Sequence, residues 1–275
     1  MLKFSAIFIA SWAIIVAAMN IFPDQPQGRI INGKPAKENQ FPYYVRVIIF
    51  GGVWSETELY RCGGTIIGPR WVLTAGHCYT PTTNDSEPIT YHIEAGSINV
   101  AESLQSDIVI NSYAFQHPDY NPETLANDIA LIKTKAWTFD DTVCPIMIPL
   151  STFDSDSYIG EKFITMGYGF ISNDGPISEE LLWTKLTLID RKKCKKHYDS
   201  YLPKMIFCGV DKKPPISAVC YGDGGSPAVI EGPKGKPLQI GLAIFVSDEG
   251  CDAAPQGFVD IAMYHDWIIM TMIRN

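Results

Sequence analysis

Three short segments of this chain carry residue types that work together in chemistry. Leu73-Thr74-Ala75-Gly76-His77-Cys78 presents a histidine beside a cysteine. Asn127-Asp128-Ile129-Ala130-Leu131-Ile132 sets an acid at the head of an apolar run. Cys220-Tyr221-Gly222-Asp223-Gly224-Gly225-Ser226-Pro227 is a glycine-rich loop holding an acid and a serine between a cysteine and a proline. A serine hydroxyl is a poor nucleophile until a base takes its proton. Histidine has a suitable pKa to be that base, and a carboxylate fixes the imidazole tautomer and stabilises its charged form. A lone histidine in an apolar neighbourhood is usually structural. The three segments together, in this order, point to nucleophilic chemistry.

A scaffold must carry these residues. The 275-residue chain is 46% hydrophobic and 19% charged, ordinary globular composition with apolar material for one large core or two smaller ones. Short β-rich runs recur at 43–50, 64–67, 71–74, 91–95, 106–110, 129–133, 163–166, 183–189, 228–230 and 239–246. Gly, Pro, Asn and Asp separate them, so an all-β protein is expected. Near the end Ile261, Tyr264, Trp267, Ile268, Met270 and Thr271 recur at helical spacing, which predicts a C-terminal amphipathic helix. A second short helix is expected over 190–198.

The beginning of the chain reads as a secretory signal. Lys3 supplies a positive charge, 4–16 is an apolar stretch, and Val16-Ala17-Ala18 offers small residues for cleavage. A signal peptide is therefore expected over 1–18, and the mature chain is expected to be secreted and extracellular. Residues 19–29, with two prolines, read as an exposed leader. Secretion favours disulfides. There are seven cysteines, so at least one lacks an intramolecular partner, and spacing alone leaves the connectivity open. Asn84-Asp85-Ser86 is a glycosylation sequon in a polar stretch. The net charge of -8 disfavours nucleic acid or an anionic membrane as a partner. His92, His117, His197 and His265 show no metal-ligand spacing, and neither metal nor cofactor is expected.

The three segments closely resemble the His, Asp and Ser motifs of the chymotrypsin-like (trypsin-like) serine proteases, and the resemblance runs from Ile30 to about Ile273. It implies two packed six-stranded antiparallel β-barrels, roughly 30–143 and 144–262, followed by the C-terminal helix, as one protease-like domain over 30–275. By the resemblance, His77 is the base, Asp128 the orienting carboxylate, and the N–H groups of Gly222 and Gly224 the oxyanion hole. The family reads Gly-Asp-Ser-Gly-Gly-Pro where this chain reads Gly-Asp-Gly-Gly-Ser-Pro. The nucleophile position is thus Gly224, and loss of that serine costs on the order of a millionfold in turnover in a related system. Ser226 is two residues away, about 6–7 Å of backbone, while proton transfer needs about 3 Å. The resemblance also sets Ala218 at the base of the specificity pocket and Val246 and Gln256 at its walls. Ile244 stands where the family has a serine that hydrogen-bonds the carboxylate.

The resemblance further implies the disulfides Cys62–Cys78, Cys194–Cys208 and Cys220–Cys251. Phe163 and Ile230 occupy both positions of another family bridge. Cys144 is left over, either as a buried free thiol or as a disulfide to another chain. Gln27-Gly28-Arg29-Ile30-Ile31-Asn32-Gly33 resembles the family's activation site, where a cut after Arg29 frees the Ile30 amine to pair with Asp223. The expectation is a non-catalytic homologue that binds or regulates other extracellular proteins, active proteases or their substrates, as in immunity or venom. One alternative is a weak endopeptidase using Ser226 or a water activated by His77. Another is a ligand- or glycan-binding module, for which Arg191-Lys192-Lys193-Cys194-Lys195-Lys196 is the candidate basic stretch.

Overall fold

The computed structural model describes residues 30–51, 60–79, 89–198 and 202–275. The expected signal peptide, the leader with Arg29, and Asn84 lie outside the described residues. Fourteen strands are described: β1 (Lys34–Pro35), β2 (Tyr44–Phe50), β3 (Tyr60–Gly68), β4 (Trp71–Thr74), β5 (Thr90–Ala95), β6 (Gln105–Ile110), β7 (Ala114–Gln116), β8 (Ala130–Lys133), β9 (Lys162–Gly167), β10 (Leu182–Ile189), β11 (Ile206–Val210), β12 (Pro227–Glu231), β13 (Pro237–Phe245) and β14 (Gln256–Asp260). The helices are α1 (Arg191–Cys194) and α2 (His265–Arg274).

The strands form two antiparallel layers. The second closes on itself: β9-β10-β11-β14-β13-β12 pair around a ring, with β1 added outside β10. The first runs β6-β5-β2-β3-β4-β8-β7, and no pairing joins its outer strands β6 and β7 among the described residues. The fold is the expected all-β one, two packed antiparallel barrels with a C-terminal helix, of which the second is a closed six-strand ring and the first a half-barrel among the described residues.

Sequence pattern explains the layers. In β5, Tyr91, Ile93 and Ala95 point inward while Thr90, His92 and Glu94 alternate outward. The run Trp71–Thr74 is buried throughout, because β4 lies between β3 and β8 at the centre of its sheet. In the closed barrel Phe163 packs edge-on to Phe207 and Phe258, with ring centroids 5.8 and 5.0 Å apart. Ile230 belongs to the same buried cluster, so the two positions that the resemblance pairs as a bridge are filled by apolar side chains in one core.

Helix α2 buries Ile268 and rests its aromatic side on the first sheet. Trp267 and Tyr264 pack against the His117 ring, with centroids 5.1 and 5.5 Å away. Tyr264 Oη also donates to Asn127 Oδ1 over 2.9 Å. The C-terminal segment thus grips the residue that precedes Asp128.

Candidate functional site

The site forms where the ends of β4, β8 and the 220–227 loop meet. His77 stands on a single 3-10 turn, Gly76–Cys78, directly after β4. A disulfide from Cys78 to Cys62 ties that turn back to β3. Asp128 comes from the chain just before β8. Asn127 has a left-handed φ of 56°, held by its Nδ2 bond to the Asp119 carbonyl at 2.8 Å and by the Tyr264 hydroxyl. This bend brings the acid onto the histidine turn. The approach is close enough that a Cβ on Gly76 would fall 2.8 Å from Ile129 N and 3.0 Å from Asp128 Oδ1.

Asp128 is fully buried and both its oxygens serve His77. The His77 backbone N–H donates to Oδ1 over 2.6 Å, and ring Nδ1 lies 2.8 Å from Oδ2. Burial disfavours the imidazolium, but the Asp128 charge and hydrogen bond outweigh it, and the His77 pKa is raised. Ile244, which the resemblance aligns with a serine, is buried and has no hydroxyl to donate.

The third segment is pinned from all sides. Gly63 N donates to Gly224 O at 2.8 Å, Gly225 N to Ala243 O at 2.8 Å, Ser226 N to Asp223 O at 2.9 Å, and Ala243 N to Ser226 O at 2.8 Å. Gly225 has φ +81°, and a Cβ there would fall 3.0 Å from Ala75 N and closer still to the Gly63 carbonyl, so only glycine fits. Gly224 faces His77. A Cβ built on it would lie 2.9 Å from His77 Cε1 and nearer still to Nε2. Ser226 faces the other way. It is fully buried, and its Oγ lies against Gly63 and Gly167 beside the Tyr44 hydroxyl.

A cavity of about 400 Å³ opens beside these residues, lined among others by Arg61, His77, Gly222, Gly224, Phe245 and Asp248. The backbone N–H groups of Gly222 and Gly224 donate to no protein acceptor among the described residues. Of the three expected pocket residues only Val246 lines the cavity. Ala218 sits one layer behind, fully buried, donating its N–H to Ile31 O at 3.1 Å and packing with Ile31, Cys220 and Cys251. Gln256 folds its amide onto its own loop, Nε2 donating to Ala254 O at 2.9 Å and Cys251 O at 3.3 Å. The sequence reading missed Arg61, a charged residue inside an otherwise apolar strand next to Cys62.

Asp223 and Ile30 are both fully buried. The carboxylate accepts from Gly169 N at 2.8 Å and Cys220 N at 2.9 Å. Desolvation exceeds these two bonds and pushes its pKa up to about 7. The disulfides Cys194–Cys208 and Cys220–Cys251 are formed, and Cys144 is a half-buried free thiol. Burial, then the charges of Asp140 and Asp141, raise its pKa. Cys62, Cys78 and His77 bring sulfur and nitrogen within 4.8 Å of one another, but the two sulfurs are bonded to each other and are no thiolate ligands. Of the basic stretch, Lys192, Lys193, Lys195 and Lys196 are exposed, while Arg191 Nη1 donates to the carbonyls of Pro203 and Ile206.

The family model Trypsin matches residues 30–268. This chain belongs to the trypsin family of serine proteases. A collagenase of Hypoderma lineatum is 31% identical over 272 residues, spanning 95% of this chain and 96% of that protein. Serine protease 1 of Drosophila melanogaster is 32% identical over 88% of this chain and 85% of its own length. The solved HL collagenase structure superposes with a TM-score of 0.73 at 28% identity, over 88% of this chain and 98% of that one. Within the trypsin family, these relatives bear the names of proteases, whereas this member presents glycine toward the histidine.

Proposed function

We propose that this trypsin-family chain is a non-catalytic homologue that acts by binding, as a cofactor or decoy for other extracellular proteins. One observation carries the reading: His77 has Gly224 in front of it, with no side chain to attack a carbonyl. The His77–Asp128 pair and the Gly222 and Gly224 donors remain, but a base and an oxyanion site without a nucleophile leave at most a small residual rate. The endopeptidase alternative through Ser226 has little support, because that hydroxyl is fully buried and directed at Gly63 and Gly167. A glycan role for the 191–196 stretch rests on four exposed lysines in a protein of charge -8.

In this reading the chain is secreted, with a signal peptide over 1–18, a leader over 19–29 and one protease-like domain from Ile30. The three disulfides fit an oxidising compartment. Partners are other proteins, and Cys144 is available for a disulfide to one of them. The test is to secrete the protein, cut it after Arg29 and expose it to a serine-reactive fluorophosphonate, with an active trypsin-family enzyme alongside. Mass spectrometry should find the adduct on the active enzyme only. An adduct on Ser226, or peptide turnover abolished by His77→Ala, would overturn the proposal.

A further inference from the structure

The disulfide Cys194–Cys208 closes a ring of chain that begins with two lysines, Lys195 and Lys196. Both ends of the ring are held. Upstream, Asp190 caps α1: its carboxylate accepts from Lys192 N at 2.6 Å and its carbonyl from Lys193 N at 2.8 Å, and Cys194 is fully buried. Downstream, Leu202 is buried, and Arg191 Nη1 donates to the carbonyls of Pro203 and Ile206. Tyr198 packs edge-on to Phe245 with ring centroids 4.9 Å apart and donates its hydroxyl to Pro255 O.

Between these anchors Lys195, Lys196 and His197 are all exposed. Their backbone bonds stay within the turn: Lys195 N to Arg191 O at 2.9 Å, Lys196 N to Lys193 O at 3.3 Å and His197 N to Cys194 O at 3.0 Å. Among the described residues no strand pairs with this turn. Opening it breaks a few local bonds and no core contact, which sets it at the low end of local stability. Lys192, Lys193, Lys195 and Lys196 form no ion pair among the described residues. Other basic residues are worse placed for a protease. Arg46, Arg61, Lys133, Lys162 and Lys185 lie in paired strands, and Lys34, Lys213 and Lys236 each precede a proline, which fixes the backbone and has no N–H.

We propose that the Lys195–His197 turn is a cleavage site for a protease whose primary pocket holds a carboxylate, and that the cut turns this protein into two chains joined by Cys194–Cys208. Such a pocket takes a lysine ammonium as an ion pair, and the neighbouring lysines add to the attraction. Water adds across the peptide bond after Lys195 or Lys196. Its oxygen ends in the new carboxylate and its protons on the new amine. The place of the cut decides what holds the halves together. After Lys192 or Lys193, both Cys194 and Cys208 would stay in the downstream piece, and no disulfide would join the two. After Lys195 or Lys196, Cys194 lies upstream and Cys208 downstream, so the bond spans the cut. The inference deepens the decoy reading above: the chain becomes the substrate of the kind of enzyme it would engage.

The test treats the folded, secreted chain at neutral pH with a small amount of trypsin. The expected product runs as one band without reductant and as two fragments with it, and N-terminal sequencing starts the downstream fragment at Lys196 or His197. Lys195→Gln together with Lys196→Gln should slow the cut at least about a hundredfold, because a pocket built around a charged partner rejects a neutral one strongly. Lys192→Gln together with Lys193→Gln should leave the cut in place, and thermal melts check that both variants are folded. A chain that stays whole from Ile30 onward after Arg29 has been cut overturns the proposal. So does a first internal cut elsewhere, fragments that part without reductant, or equal cutting of the two double variants. The same nick arising without added trypsin, and abolished by His77→Ala, would support the site but sink the non-catalytic reading, which keeps the two failures apart.

Discussion

Gly224 and His77 stand so close that position 224 has no room for a side chain: a Cβ there would fall 2.9 Å from His77 Cε1 and closer to Nε2. The imidazole is moored to Asp128 through its backbone N–H and its Nδ1. A new side chain must therefore push a tethered ring, not a free one.

It follows that Gly224→Ser alone restores little activity. The ring must retreat for the hydroxyl to fit, and Ile244 supplies no hydrogen bond to steady Asp128 afterwards. Active-site titration of the cut variant should recover only a small part of the roughly millionfold that a working serine confers. A full burst, stoichiometric with protein, would show that the ring yields freely.

Asp223 makes the uncut chain sensitive to pH. Its carboxyl is pushed up to about 7 from 3.8. A raised acid contributes stability that is complete below the unfolded value and is lost as pH rises through the folded one. Between about pH 4 and pH 7 the uncut protein should lose stability on alkalinisation, by an amount on the order of a few kcal/mol. Asp223→Asn should flatten that part of the curve. If the Ile30 amine reaches Asp223 after a cut behind Arg29, the cut form should lose less than the uncut form. Thermal melts across the range check both statements.

Phe163→Ala should cost about 3–5 kcal/mol in chemical denaturation. The ring is buried between Phe207 and Phe258 and stands in for half of a bridge that this member lacks. A cost below about 1 kcal/mol would mean that the cluster collapses around the gap.

Removing Cys220–Cys251 by a double substitution to alanine should cost about 3–4 kcal/mol, as expected for closing a loop of this length. The bond spans 31 residues and clamps the segments carrying Gly222, Gly224 and Val246. Denaturation measures the stability loss.

The sequence shows the site more clearly than the walls around it. His77, Asp128 and the 220–227 loop are legible because each depends on a local turn with few residue solutions. Strands such as Trp71–Thr74 are legible because apolar runs between breakers leave little choice. By contrast β14, Gln256–Asp260, mixes a glycine, an amide and an acid, and all five residues are buried only because β11 and β13 flank it. The inward turn of Gln256 and the retreat of Ala218 behind Ile31 are tertiary events with no local signature. Whether the first sheet closes likewise depends on registers between distant strands.

Strand β1 carries a consequence for how the chain assembles. Lys34 pairs with Trp183 and Pro35 with Leu182, so the earliest strand belongs to the later barrel, and the Lys34 ammonium rests over the Trp183 ring 5.8 Å away. On the ribosome, β2 to β8 can find one another while β1 still waits for a partner not yet translated. The first sheet is thus free to condense as a unit, and the docking of β1 reports that the second half has arrived.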